Sequence, residues 1–165
     1  MDTQNRRTVA LAALWSAPAV VVAAAAPAYA VSGIIDLAVA VSADTPQIIL
    51  GIPTTVTVTL TSVGTAPTSG TVTLTIFKPT IIVASIVWID FPSGWTIVSE
   101  SQVTWQVTRT VPIMPGEVIN FIFEVTKTDF TNGNTTMRGI ITNGSGGDTN
   151  TANNSAFLRL NHGVD

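Results

Sequence analysis

The sequence predicts an all-β protein built as a sandwich or barrel, and three observations carry that prediction. The first is alternation with period two. In Thr55-Val56-Thr57-Val58-Thr59-Leu60-Thr61, the apolar residues Val56, Val58 and Leu60 share one face and threonines fill the other. Such alternation marks a half-buried strand. The second is composition. Residues 31–165 contain 24 threonines, β-branched side chains that suit a pleated, solvated face and are poor helix formers. The third is turn chemistry at short intervals: Gly64 to Gly70, Pro92-Ser93-Gly94, Pro115-Gly116, Asn132-Gly133 and Asn143 to Asn154. No window shows a capped helical stripe.

The first thirty residues read differently. Arg6 and Arg7 form a short basic start, an alanine- and valine-rich stretch follows from Val9 to Ala26, and Ala28-Tyr29-Ala30 ends it with small residues two apart. Basic start, apolar middle and small-x-small end define a secretory signal. Pro18 and Ser16 interrupt the apolar stretch, which falls short of the roughly 20 continuous apolar residues a membrane span requires. Cleavage after Ala30 is expected, leaving residues 31–165 as a single domain with no further membrane span. The pair Arg6-Arg7 resembles a twin-arginine signal, although Asn5 and Ala10 depart from that pattern, and the Sec route stays open. The leader is also similar to those of many actinobacterial secreted proteins.

Along the domain, Leu37, Val39 and Val41 alternate with alanines in a first strand. The runs 55–61 and 71–76 follow. Val103, Trp105 and Val107 share one face of the next strand. Ile119, Phe121, Phe123 and Val125 share one face of a long strand, and Met137 to Thr142 and Ser155 to Leu160 supply the last two. Trp105 is expected between the sheets, near Val58, Leu60, Leu74, Phe121 and Phe123.

The run Ile81 to Ile89 breaks the alternation, being apolar at both parities and uncharged. A continuous run usually marks a strand covered on both faces. The covering element expected here is the apolar start of the domain, Val31 to Ile35. The alternative is a docking patch around Ile86, Val87 and Trp88, with part of 81–89 as the least covered apolar surface of the domain.

Composition excludes much chemistry. There is no cysteine, so no disulfide scaffold and no thiolate metal site. The one histidine, His162, is read as an exposed tail residue. Five basic residues against nine acidic ones in 31–165 exclude an electrostatic nucleic-acid binder. No catalytic, cofactor or metal residue is assigned. Asp148, Asn150, Asn153 and Asn154 offer oxygen ligands of the kind calcium takes, but one carboxylate among amides makes a weak site, and these residues read better as a turn.

Five motifs in order carry a resemblance: Asp36-Leu37-Ala38-Val39, Gly64-Thr65-Ala66-Pro67-Thr68-Ser69-Gly70, Phe91-Pro92-Ser93-Gly94-Trp95, Pro115-Gly116 and Asn150-Thr151-Ala152-Asn153-Asn154-Ser155-Ala156. Over residues 35 to 160 the chain resembles bacterial Ig-like surface modules, the domain of unknown function eleven and CARDB, the cell-adhesion-related domain. The resemblance implies an Ig-like Greek-key β-sandwich of seven to nine strands and brings no catalytic residues.

The functional expectation is a secreted or cell-surface, non-enzymatic module with a structural or adhesive role. Its partner is a protein or a cell-wall polymer. Two rivals stand beside it. One is a carbohydrate- or wall-binding module using Trp95, which follows a Pro-Ser-Gly turn, although packing against a sandwich end suits that ring better. The other is a self-associating surface subunit using residues 81–89.

Overall fold

Alternation decides which way each strand faces, and the two resulting apolar faces close on one another. The computed structural model describes residues 33–79 and 84–163, so Arg6, Arg7, Ala28 and Ala30 lie outside the described residues. The strands are β1 (Leu37–Ala43), β2 (Gln47–Ile48), β3 (Thr54–Ser62), β4 (Val72–Phe77), β5 (Ala84–Asp90), β6 (Thr96–Glu100), β7 (Thr104–Arg109), β8 (Val118–Lys127), β9 (Gly133–Ile141) and β10 (Ser155–His162). They form a four-stranded sheet in the order β1-β3-β8-β5 and a six-stranded sheet in the order β2-β10-β9-β4-β7-β6. Every pairing is antiparallel except the two-residue β2 on β10. The chain passes back and forth between the sheets, as in a Greek-key sandwich. The tenth strand beyond the expected seven to nine is this short β2.

Strand β3 shows the logic most clearly. Thr54, Val56, Val58, Leu60 and Ser62 are buried, and the threonines between them stay half-buried on the outer face. Their register partners on β8 include Phe123, Phe121 and Ile119, all buried. Leu74 and Ile76 of β4, Val107 of β7, Met137 and Ile141 of β9 and Leu160 of β10 close the core from the other sheet. One side of the sandwich is drawn tight. A Cβ on Gly139 of β9 would lie 2.9 Å from a Val39 methyl and 3.1 Å from a Val58 methyl, so a side chain there would overpack the contact between the sheets.

The opposite side is open, and this corrects the reading of the apolar run. Residues 80–83 lie outside the described residues. From Ala84 onward the run is β5, the terminal strand of its sheet. It is not covered on both faces: Val87 and Ile89 are 54% and 55% exposed. Val31 and Ser32 of the expected cover lie outside the described residues, and its described part, 33–35, is bound elsewhere. The backbone of Ile34 binds the 64–66 loop, its carbonyl accepting from Thr65 N at 2.7 Å and Ala66 N at 3.1 Å. That segment leads into β1, the far edge of the same sheet.

Two further expectations change. Strand β6 escaped the sequence reading because Thr96-Ile97-Val98-Ser99-Glu100 is exposed throughout and lacks alternation. His162 is not a free tail residue. It ends β10, is 2% exposed, and its Nδ1 lies 3.0 Å from the Thr131 carbonyl. That carbonyl also accepts from Nζ of Lys127, a fully buried lysine that donates to the Gly163 carbonyl at 3.1 Å as well. A buried lysine requires such acceptors, and together they fasten the 128–132 loop to the end of the sheet.

Candidate interaction surface

Strand β5 positions the residues singled out in the sequence, and alternation sorts them. Ile86 and Trp88 point inward and pack against the core. The Trp88 ring lies 4.5 Å from Trp105, 5.3 Å from Phe123 and 5.2 Å from Phe91, centroid to centroid. These two residues therefore hold the open side together instead of lining a surface. Val87 faces outward, directly across from Glu124 of β8. The register shifts between Trp88 and Asp90, which brings Asp90 opposite Ile122. A bulge of this kind guards an edge strand against uncontrolled pairing.

Trp95 takes the packed role of the two expected for it, not the exposed one. It is 6% exposed, with its ring edge-on to Phe121 at 5.1 Å. The Pro-Ser-Gly turn delivers it into the core, because so large an apolar ring is worth most when covered. A ring so covered presents no open face to a partner. Nor is the described part of the run, 84–89, the least covered apolar surface among the described residues: Phe130 and Phe157 are 77% and 73% exposed.

Trp105 lies inside as expected, 3% exposed and 5.4 Å from Phe123. Its indole N–H donates to Glu100 Oε1 at 2.8 Å, and Lys78 Nζ sits 4.2 Å above the ring. Lys78 also reaches Glu100 at 2.8 Å. The hydrogen bond from Lys78, then the one from Trp105, hold the Glu100 carboxyl below its ordinary pKa.

Where β5 leaves its sheet, a recess of about 550 Å³ opens, lined in part by Asp90, Pro92, Arg109, Glu117, Val118 and Asn120. Its strongest charges are already engaged. Arg109 pairs with Glu117 at 2.8 Å, and Glu117 Oε2 accepts from Met114 N at 3.0 Å. Asn120 Oδ1 accepts from the Thr59 hydroxyl at 2.9 Å. At the same end of the domain, the oxygen-rich loop works as a turn. Asp148 Oδ1 accepts from Asn150 N, and the amides of Asn150 and Asn153 both donate to the Asp36 carboxylate.

Four charged residues stand apart from the rest. Lys78 is paired with Glu100 and Arg109 with Glu117. Lys127 is held by carbonyls. Asp36, Asp44, Asp129 and Asp148 each accept from amide or hydroxyl donors. Among the described residues, the side chains of Asp90, Glu124 and Arg159 make no hydrogen bond or ion pair, and that of Arg138 donates only to the Ser155 hydroxyl, at 3.0 and 3.1 Å. The two acids lie on the outer face of the four-stranded sheet and the two arginines on the outer face of the six-stranded one. No signal in the sequence marked these four, because they are spread from position 90 to 159 and gather only across strands.

The fold and its open side define an Ig-like β-sandwich. No family model matches the sequence, and no curated protein does either. Among solved structures, the chain is similar to the CARDB domain of a Pyrococcus furiosus protein, crystallised in complex with di-metal ions. The TM-score is 0.53 at 13% identity, covering 80% of this chain and 96% of that one. The solution structure of that domain gives a TM-score of 0.51 at 16% identity, covering 80% and 98%. At such identities the likeness is one of fold.

Proposed function

We propose that the chain is a secreted, non-enzymatic interaction module of the CARDB-like type, working at or outside the bacterial cell surface. Its contact surface is the outer face of the four-stranded sheet at β5. The observation that carries this reading is the placement of Val87 and Ile89. Both are more than half exposed on a terminal strand whose residues 84–89 carry no charge. An edge left apolar and uncharged invites association. The fold likeness to a CARDB domain supports an interaction module, and the leader ending at Ala30 supports export. A wall-polymer platform on Trp95 is disfavoured because that ring is inside the core.

The test is Val87→Lys. The side chain is exposed, so the circular-dichroism spectrum is expected to stay unchanged while the fraction retained with cell walls falls several-fold. Unchanged retention in a folded variant overturns the assignment of the surface.

A further inference from the structure

We propose that the partner is a second copy of this chain. The outer face of the four-stranded sheet of one molecule seats against the outer face of the six-stranded sheet of the next. The inference rests on the reading that the β5 face is the contact surface, and it names the occupant.

Among the described residues, none of the four charges Asp90, Glu124, Arg138 and Arg159 is in an ion pair, and only the Arg138 side chain has a hydrogen-bond partner, the Ser155 hydroxyl. Strands β2, β4, β7, β9 and β10 contain no aspartate or glutamate, so nothing in them offsets Arg138 and Arg159. Phe157 of β10 stands opposite Arg138 of β9, and Arg159 stands opposite Thr136. The two arginines are thus diagonal neighbours on adjacent strands, with Cα atoms about 7–8 Å apart. On the other sheet, Glu124 of β8 stands opposite Val87 of β5, and Asp90 of β5 stands opposite Ile122. The two acids are diagonal neighbours as well, at a similar spacing. Like charges this close repel, and each face lacks the counter-charges that the other displays in a matching pair.

The apolar surroundings match too. Arg138 lies between Phe157 and Phe77 in one cross-strand row. Glu124 lies beside Val87, and Asp90 follows Ile89. Docking would cover Phe157, 73% exposed, together with Val87 and Ile89. Apolar burial then supplies affinity, and the two-on-two charge pattern supplies register and orientation.

The two faces lie on opposite sides of the sandwich, so the contact is head-to-tail. Each molecule that docks one face leaves the other open, and growth is linear unless a rotation closes it into a ring. Ion pairs at its rim are screened by salt, since the Debye length shortens from about 10 Å at 0.1 M to about 3 Å at 1 M.

The experiment is sedimentation velocity on the protein purified from its source cells, across a wide concentration range at low and high salt. The expected result is a several-fold rise in mean mass with concentration at low salt, reduced at high salt. Arg138→Glu with Arg159→Glu makes both faces acidic, and Asp90→Lys with Glu124→Lys makes both basic. Each double variant is expected to stay monomeric alone, and an equal mixture of the two to assemble. Arg138→Lys with Arg159→Lys retains the charge and is expected to assemble. A wild type that stays monomeric throughout overturns the proposal without needing any variant to fold. So does an Arg-to-Glu double variant that assembles like the wild type, or a folded mixture that fails to assemble. If the wild type is monomeric but binds polygalacturonate through the two arginines, the occupant is an anionic polymer and the second-copy assignment is wrong. Loss of wall retention in Val87→Lys with a monomeric wild type leaves the surface reading standing and removes only this occupant; if neither effect is seen, both fall.

Discussion

Replacing Trp105 by alanine tests the centre of the fold and its best-anchored polar contact at once. The ring is 3% exposed, between Trp88 at 4.5 Å and Phe123 at 5.4 Å. Emptying an aromatic core site costs about 3–5 kcal/mol in lost transfer energy and residual cavity. Domains are stable by roughly 5–15 kcal/mol in total, so Trp105→Ala should remove a large share of the stability. Trp105→Phe separates the contributions. It keeps a ring in the aromatic cluster but loses the N–H that donates to Glu100 and weakens the contact with Lys78. Those are worth about 0.5–1.5 and 0.5–2 kcal/mol respectively, so a loss of about 1–3 kcal/mol is expected. Val87→Ala, on the exposed face of β5, should fall within about 0.5 kcal/mol of wild type. Urea unfolding followed by far-ultraviolet circular dichroism reads all three without depending on tryptophan emission. A loss below about 1 kcal/mol for Trp105→Ala, or one no larger than that of Val87→Ala, would refute the assignment of Trp105 to the core.

Three other outcomes follow from particular contacts. Gly64→Ala places a Cβ 2.2 Å from the Ile34 carbonyl oxygen and 2.6 Å from Asp36 N; both are backbone atoms, so the 64–66 loop should detach from the start of β1, costing about 1–3 kcal/mol in a thermal melt. The Glu100 carboxyl has a lowered pKa when folded, so its stabilising effect is full above the unfolded value of about 4.3 and disappears as pH falls through the folded one. The melting temperature of wild type should therefore exceed that of Glu100→Gln at pH 7, with the gap closing in strong acid; a gap independent of pH contradicts the assignment. Mass spectrometry of culture supernatant should find the chain starting at Val31, and Arg6→Lys with Arg7→Lys should block export if the route is twin-arginine; unchanged export favours the Sec route.

The fold was legible in local pattern because a strand's two faces are written into every second residue. In β3, β4, β7 and β8, buried residues, most of them apolar, alternate with more exposed ones, most of them polar, and a one-residue slip would expose the apolar set. Trp105 could be placed in the core for the same reason, since it shares parity with Val107. Alternation does not show which strands end a sheet. The run 81–89 looked like a covered strand because it is apolar at both parities, and only the strand order revealed β5 as an edge with Val87 facing out. Trp95 was ambiguous because a residue beside a turn has no parity to assign it a side.

Composition and periodicity determined that the described residues fold as all-β, in a sequence with no cysteine and one histidine, with most core positions readable from alternate residues. Tertiary structure alone decided which charged groups find partners. Lys78 meets Glu100 across 22 residues, Lys127 meets Gly163 across 36, and Asp36 meets Asn153 across 117. Asp90, Glu124, Arg138 and Arg159 were left over and sorted by sign onto opposite faces. The physical reason is range. The alternation that forms a strand acts between neighbours along the chain, whereas ion pairing and surface character depend on which strands hydrogen-bond to which, and that is set by burial of the whole core at once.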